Sequence, residues 1–180
     1  QQDVHYKIDA YVDEKLDIIN GKMVLTYWNN SPDVLPFVYF HLYQNAFTKG
    51  SYYESLNKGN KIQPKFGVYE EKGLGTEVVR VESEGKALKT VLDNTILKVF
   101  LPRELKPSDS VRIEIDFNTY FQNNTAMRRR MKMFNAYGYK HYDGVHWYPR
   151  ICVYDRKMGW DTEQHLEKEF YGDFGSYEVS

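Results

Sequence analysis

Cysteine is almost missing from this chain of 180 residues, which contains a single one, Cys152. One cysteine excludes an internal disulfide framework and a cysteine-rich zinc site. Its neighbours Ile151 and Val153 are apolar. We therefore expect a buried, inert thiol, because a reactive cysteine needs an electropositive, exposed setting and a base.

Long hydrophobic runs and an excess of one charge are missing as well. No stretch of about 18 apolar residues occurs, and the polar start Gln1-Gln2-Asp3 is unlike a signal peptide. We expect a soluble chain without a membrane span. The 24 basic and 25 acidic residues nearly cancel, which excludes a global field that attracts nucleic acid or an anionic membrane. We expect no nucleic-acid partner.

Motifs for catalysis are also absent. The chain has no His-Glu-x-x-His, no Gly-x-Ser-x-Gly elbow and no phosphate-binding glycine loop. His165 and Glu169 stand four apart, but a pair without a third ligand is more often a surface contact. His141 and His146 are five apart, which sets them on opposite faces of a strand. We predict a non-catalytic chain that binds no metal or cofactor itself.

Aromatic residues are abundant and point to strands. They make up 16% of the chain, with 16 Tyr and 10 Phe, and flat rings pack well on a pleated surface. Alternating segments predict seven short strands, which cover residues 4–12, 22–28, 35–42, 77–81, 87–92, 95–101 and 110–117. We therefore predict an all-β fold, either an antiparallel β-sandwich or a curved, saddle-like sheet, with one or two short helices.

The connections carry the remaining expectations. Asn20-Gly21 is typical of a turn or bulge, and the first three strands suggest a meander. Residues 43–75 predict a long insertion loop with a helical turn near 51–56, and residues 161–170 have a helical composition. Arg128-Arg129-Arg130 and Lys132 could bind phosphate, but we favour a solvated loop because no stacking aromatics are interleaved with them.

The densest stretch is residues 145–155, where two adjacent aromatics, a proline, an arginine and an apolar run lie within eleven residues. Pro149 cannot donate to a sheet ladder and favours an extended Tyr148. We expect the aromatics at a strand end or edge, where they form a surface.

The order of several motifs resembles a known family. They are Tyr6-Lys7-Ile8-Asp9, residues 37–43, Leu101-Pro102, Trp147-Tyr148-Pro149-Arg150, Val153-Tyr154-Asp155 and residues 170–177. Together they resemble the N-terminal domain of the aminopeptidase N family of zinc metallopeptidases, especially its bacterial members, over nearly the whole chain. The Trp-Tyr-Pro-Arg block followed by Tyr-Gly-Asp-Phe-Gly-Ser-Tyr is the most specific part.

The resemblance implies that residues 1–180 are a single N-terminal β domain of a larger peptidase. In that family the domain packs on a thermolysin-like catalytic domain, which holds the zinc and would follow Ser180. The implied partners are this downstream domain and, in the parent enzyme, a peptide substrate whose N-terminal residues are removed. Bacterial relatives also favour the envelope or secretion over the cytoplasm.

The family also suggests candidate site residues. Its members supply a Gln or Glu to the substrate's amino terminus, but residues 139–146 contain neither, so Asp143 is the candidate substitute. Arg156-Lys157 stands where the family has Glu-Pro. We expect a surface facing the catalytic domain and the rim of the cleft, formed by Tyr142, Asp143, His146, Trp147, Tyr148 and Arg150. An ordinary core role for Trp147 remains open.

A second hypothesis comes from a different class. A stand-alone β-sandwich module for carbohydrate or protein could use the same aromatics together with the loop 43–75, where Tyr52, Tyr53 and Phe66 are available. A downstream His-Glu-x-x-His would favour the peptidase, and a stop codon after Ser180 would favour the module.

Overall fold

The structure is a computed structural model that describes residues 2–123, 131–166 and 170–180. The chain begins with strands β1 (Asp3–Asp13), β2 (Ile18–Trp28) and β3 (Leu35–His41). A 3-10 helix (Tyr43–Phe47), helix α1 (Tyr52–Gly59) and a second 3-10 helix (Glu70–Lys72) follow. The next strands are β4 (Thr76–Ser83), β5 (Lys86–Ala87), β6 (Thr90–Asp93), β7 (Ile96–Leu105) and β8 (Ser110–Tyr120). The last are β9 (Lys132–Ala136), β10 (Tyr139–Asp143), β11 (Arg150–Ile151), β12 (Tyr154–Asp155), β13 (Gly159–Trp160) and β14 (Ser176–Val179).

Two larger sheets and two hairpins make an all-β, sandwich-like fold, as predicted. The six-stranded sheet has the order β14-β1-β2-β8-β4-β5, and the four-stranded sheet has the order β11-β3-β7-β6. The hairpins are β9-β10 and β12-β13. Among the described residues, the strands pair antiparallel except for β1 with β14, and one isolated parallel bridge joins Gln122 to Lys132. No helix among the described residues is both long and apolar enough to cross a membrane.

The main core lies where the two larger sheets face each other. Tyr6, Leu25 and Ile113 occupy one row across β1, β2 and β8, and all three are buried. Val38 and Val99 form the matching pair in the four-stranded sheet. These residues belong to one apolar cluster, and the alternation of residues 4–12 turns Val4, Tyr6 and Ile8 inward.

The predicted helical turn near 51–56 is confirmed and extends to Gly59. Ser51 Oγ accepts a hydrogen bond from the Glu54 N–H at 3.0 Å, and Glu54 Oε2 accepts one from the Gly50 N–H at 2.7 Å. The two side chains satisfy backbone donors at the helix start, as in a capping box. Local sequence chemistry therefore starts this helix inside the long connection.

The predicted three-strand meander is wrong at its third strand. β1 and β2 form a hairpin, but β3 pairs with β7 in the other sheet. The chain crosses between the layers through residues 29–34, where the Asn29 side chain donates to the carbonyl oxygens of Asp33 (2.8 Å) and Leu105 (3.1 Å). Alternation shows which face of a strand is buried, but not which sheet the strand joins.

The turn predicted at Asn20-Gly21 is also wrong, because both residues lie inside β2. The turn is at 14–17, where Asp13 Oδ1 accepts two backbone N–H groups at 2.9 and 3.0 Å. Gly21 is needed for packing instead, since a Cβ there would lie 2.2 Å from the Phe117 ring.

Two further predicted elements differ from the structure. The strand expected at 87–92 is split into β5 and β6, which belong to different sheets. Residues 161–166 form no helix, and 167–169 lie outside the described residues, as does Glu169 of the pair considered with His165. Gln164 holds residues 161–166 against the four-stranded sheet. Its side chain accepts a hydrogen bond from the Thr95 N–H (3.0 Å) and donates one to the Asp93 carbonyl (2.8 Å).

Candidate functional site

The predicted surface segment, residues 142–150, joins the β9-β10 hairpin to the four-stranded sheet. Tyr142 lies in β10 opposite Met133, and Arg150 begins β11 opposite His41. β11 is an edge strand, and Trp147 and Tyr148 come just before it. The expectation that these aromatics lie at a strand end is therefore confirmed.

Side chains from distant parts of the chain hold the backbone of this segment. The Gln44 amide donates to the Val145 carbonyl at 2.6 Å, and Thr119 Oγ1 donates to the Trp147 carbonyl at 2.7 Å. His146 between them has a φ of 51°, a left-handed conformation that is uncommon for a residue with a side chain. The side chains of Gln44, from the first 3-10 helix, and Thr119, from β8, support this conformation, because they satisfy the carbonyls on both sides of His146.

Trp147 and Tyr148 are half-buried and connect the core to the surface. Trp147 packs against both apolar clusters, with its ring 6.1 Å from that of Phe117. Tyr148 meets the Tyr6 ring edge to face at 5.5 Å, and its hydroxyl donates to the Tyr177 hydroxyl at 3.2 Å. Burial, followed by the contact with Tyr177, raises the pKa of Tyr148. Its hydroxyl therefore stays protonated at neutral pH.

Tyr142 and Asp143 belong to the hairpin end of the segment. The Tyr142 hydroxyl donates to Asp17 Oδ1 at 2.7 Å, and its ring lies 4.7 Å from that of Phe121. Burial, followed by the hydrogen bond to Asp17, raises the pKa of Tyr142. Asp143 is exposed at the end of β10. Tyr142 is thus occupied by a structural hydrogen bond, whereas the Asp143 side chain faces solvent.

Arg150 connects the two sequence blocks on which the family resemblance rests. Its Nη2 donates to the Asp173 carbonyl at 3.3 Å. Gly172 leaves room for this contact, since a Cβ there would lie 2.2 Å from Nη2. Together with the bond between Tyr148 and Tyr177, this contact packs the Trp-Tyr-Pro-Arg block on residues 172–177. Sequence order alone did not predict that these blocks touch.

His146 belongs to an aromatic cluster that sequence reasoning missed. The rings of His41, His146, His165 and Phe170 surround Tyr43 at centroid distances of 4.8, 4.8, 5.3 and 4.9 Å. The alternation of β3 places His41 on the same face as Phe37 and Tyr39. No sequence signal linked that face to residues 146, 165 or 170. Only the fold brings them together.

The histidines of this cluster are held neutral. Burial, followed by the charge of Arg150 and then His165, lowers the pKa of His146 to about 4. Burial also dominates for His41, whose pKa falls to about 4. Neutral imidazole could bind a metal, but in the described part of the chain no three His, Cys, Asp or Glu side chains are placed to hold an ion.

The remaining sequence candidates lie elsewhere. Cys152 is 1% exposed, and burial raises its pKa, so the thiol is inert as expected. Arg128, Arg129 and Arg130 lie outside the described residues. The solvated loop expected here is wrong at Lys132, which lies in β9 with its ammonium 5.5 Å from the centre of the Phe134 ring. The site is therefore a surface of half-buried rings and an arginine, without an evident nucleophile.

The three aromatics considered for a binding module differ in their exposure. Tyr52 is half-exposed on α1, and its hydroxyl donates to Asp93 Oδ1 at 2.8 Å. Tyr53 packs edge to face on Phe47 at 5.8 Å, and Phe66 is half-buried. Tyr52 is the ring with the most accessible face.

Comparison with known proteins gives structural neighbours only. No protein-family model matches the sequence, and no curated protein is significantly similar to it. A mutant M1 zinc metallopeptidase from Deinococcus radiodurans, bound to a Tyr-Ser-Ala substrate, is 17% identical over 76% of this chain and 25% of its own, with a TM-score of 0.45. The M1 zinc metallopeptidase from the same organism is 16% identical over 74% and 23%, with a TM-score of 0.39.

A two-domain M1 zinc metallopeptidase mutant bound to L-arginine is 15% identical over 78% of this chain and 24% of its own, with a TM-score of 0.40. The chain thus spans about a quarter of the length of these structures. At this level of identity and fold similarity, the matches assign neither an activity nor a residue role.

Proposed function

We propose that this chain is the non-catalytic N-terminal β domain of a zinc-dependent aminopeptidase. Residues 1–180 form one domain, which packs on a downstream catalytic domain of the same chain and shapes the cleft where N-terminal residues are removed from peptides. The zinc belongs to that catalytic domain. The order of the sequence motifs supports this proposal, and the envelope or secretion is the proposed location.

The observation that carries the proposal is the incomplete burial of residues 147–150. Trp147, Tyr148 and Arg150 are each only partly covered by this chain, although they pack closely on Tyr6, Phe117 and the Asp173 carbonyl. Aromatic and arginine side chains are enriched where protein surfaces meet. A second domain covering this side of the sandwich would bury the area that remains exposed.

The full-length gene product tests the family assignment. We expect the reading frame to continue past Ser180 into a His-Glu-x-x-His motif followed by a further glutamate, the ligand set of this peptidase type. The purified product should hold about one zinc per chain and release amino acids from aminoacyl p-nitroanilides. A stop codon after Ser180, or a zinc-free inactive product, would contradict the proposal.

An Arg150→Ala variant of the full-length enzyme tests the cleft-facing role. We expect KM to rise about threefold to tenfold at unchanged zinc content, because the change removes contacts at the rim and leaves the metal alone. Tyr137→Ala is the matched control, since Tyr137 is 96% exposed in the β9-β10 turn. Equal KM values for both variants and wild type would show that Arg150 does not contribute to the substrate cleft.

The competing function is a stand-alone carbohydrate- or protein-binding module, and the exposed ring of Tyr52 is the observation in its favour. A glycan array probed with the 180-residue chain, compared with a Tyr52→Ala variant, tests it directly. Glycan binding that is lost in the variant, together with a stop codon after Ser180, would establish this function instead.

A further inference from the structure

A cavity of about 400 Å³ opens next to His41, between the end of β3 and residues 155–165 and 170–171. This volume is within the range of small-molecule sites. Four aromatic residues form part of its walls, namely Tyr43, Trp160, Phe170 and Tyr171. The cavity shares Tyr43 and Phe170 with the aromatic cluster around His146, although His146 itself does not line it.

His41 supplies an unsatisfied polar group to this cavity. The residue is 4% exposed, and neither ring nitrogen has a hydrogen-bond partner among the described residues. Its ring stacks on Tyr43 at 4.8 Å, which fixes its orientation. Burial lowers the pKa of His41 to about 4, so at neutral pH one ring nitrogen is an acceptor. A buried acceptor without a partner is unfavourable, and a bound donor removes that cost.

Asp161 provides a second acceptor opposite His41. Its Oδ2 lies 4.0 Å from His41 Nε2, which is too far for a direct hydrogen bond. A single nitrogen of a ligand, placed about 2.9 Å from each atom, would bridge this gap with two N–H donors. The Asp161 backbone is independently fixed, because its N–H donates to the Val153 carbonyl at 2.8 Å.

The charged side chains that line the cavity favour a ligand of positive charge. Asp155, Asp161 and Glu163 line the cavity, and no lysine or arginine of the described residues does. The positive charge of Arg150 acts on His41, but its guanidinium donates to the Asp173 carbonyl and is not part of the lining. Carboxylates beside aromatic faces favour an organic cation through ion pairing and cation–π attraction.

We propose that this cavity binds a small organic cation with N–H donors, an ammonium or amidinium group on an apolar skeleton. Its nitrogen donates to Asp161 Oδ2 and to the unprotonated nitrogen of His41. The apolar skeleton packs on the rings of Trp160 and Tyr171. The site goes beyond the proposed role in the aminopeptidase, because it requires neither a catalytic domain nor zinc.

Titration of the 180-residue chain with benzylamine at pH 7, followed by NMR chemical shifts, tests the ligand class. We expect saturable binding with a Kd of about 1 mM or tighter, shifting signals of Trp160 and His41. Benzyl alcohol lacks the charge, and benzyltrimethylammonium lacks the N–H donors. Both should bind at least about tenfold more weakly. Absence of saturable benzylamine binding, or equal binding of either analogue, would overturn the proposal.

Variants of the same chain test the two acceptors. Asp161→Asn keeps the side-chain shape and should weaken benzylamine binding at least about tenfold, while Glu84→Gln removes one exposed carboxylate in the β4-β5 turn and should leave it unchanged. His41→Phe keeps the stack on Tyr43 and should weaken binding to a similar extent. Should His41→Phe fail to fold, Asp161→Asn alone decides, and an unchanged Kd there would refute the assignment.

Discussion

The six-stranded sheet and residues 144–175 are held together in different ways. β1, β2 and β8 are 11 residues long and pair in continuous register. By contrast, the strands in the described part of this second region, residues 144–166 and 170–175, are two residues long. Single side chains from distant positions hold this region, such as Gln44 on the Val145 carbonyl and the Tyr6 hydroxyl on the Ile151 N–H.

The difference shows which interactions fix the backbone conformation in each region. In the sheet, the backbone hydrogen bonds repeat along each pair of strands, and alternate side chains are buried. The loss of one polar contact therefore leaves many equivalent contacts that still hold the strands together. In residues 144–175, a carbonyl depends on one side chain, and its loss affects the conformation locally. The region with the most specific of the sequence motifs, the Trp-Tyr-Pro-Arg block, is therefore the one most dependent on the rest of the fold.

Truncation of a core side chain in the six-stranded sheet should lower the stability most. A small effect there would contradict the difference between the two regions. Phe117 is 1% exposed and Phe174, in the second region, is 86% exposed. We expect Phe117→Ala to lower the free energy of unfolding by about 3–5 kcal/mol and the matched Phe174→Ala to change it by less than about 0.5 kcal/mol. Urea unfolding followed by circular dichroism measures both, and similar losses would show that the regions do not differ.

Acidification should have the next largest effect, through the histidine cluster. The pKa values of His41 and His146 are lowered to about 4, first by burial. Because these values lie below that of the unfolded chain, the unfolded state binds more protons between about pH 4 and 6.5, and stability falls with the pH in this window. We expect each histidine to contribute a loss of about 2 kcal/mol between pH 7 and pH 5.

The variant His146→Asn isolates one of these contributions, since asparagine tolerates the left-handed backbone at this position. Urea unfolding at both pH values should show a pH-dependent loss about 2 kcal/mol smaller in the variant than in wild type. Carboxylate titration is common to both proteins and cancels. An identical loss would mean that His146 titrates normally and is not part of a buried cluster.

Removal of one long-range hydrogen-bond donor should lower the stability least. It tests most directly whether single side chains hold the second region. Gln44→Met keeps the side-chain length but removes the donor to the Val145 carbonyl. We expect a global loss of about 1 kcal/mol, with faster hydrogen exchange at the amides of Ile151 and Cys152 and unchanged exchange in β2 and β8. Uniformly faster exchange across the sheet would show instead that the two regions unfold as one unit.

The sequence by itself determined the fold class, the positions of most of the longer strands and the buried face of the first strand. The alternation of residues 4–12 and 110–117 is a property of neighbouring residues, because side chains of a strand point to opposite faces in turn. The helix start at Ser51 and the inert state of Cys152 were equally local. The partly exposed aromatics at residues 147 and 148 followed from Pro149, which limits its strand to an edge.

Only the tertiary structure decided which sheet each strand joins and what surrounds the candidate site. The crossing of β3, the splitting of residues 87–92 and the absence of a helix at 161–166 depend on partners far along the chain. The same holds for the cavity, where His41 and Asp161 are 4.0 Å apart in space. Contacts over such separations leave no local period in the sequence, because each is made once and by a single pair of side chains.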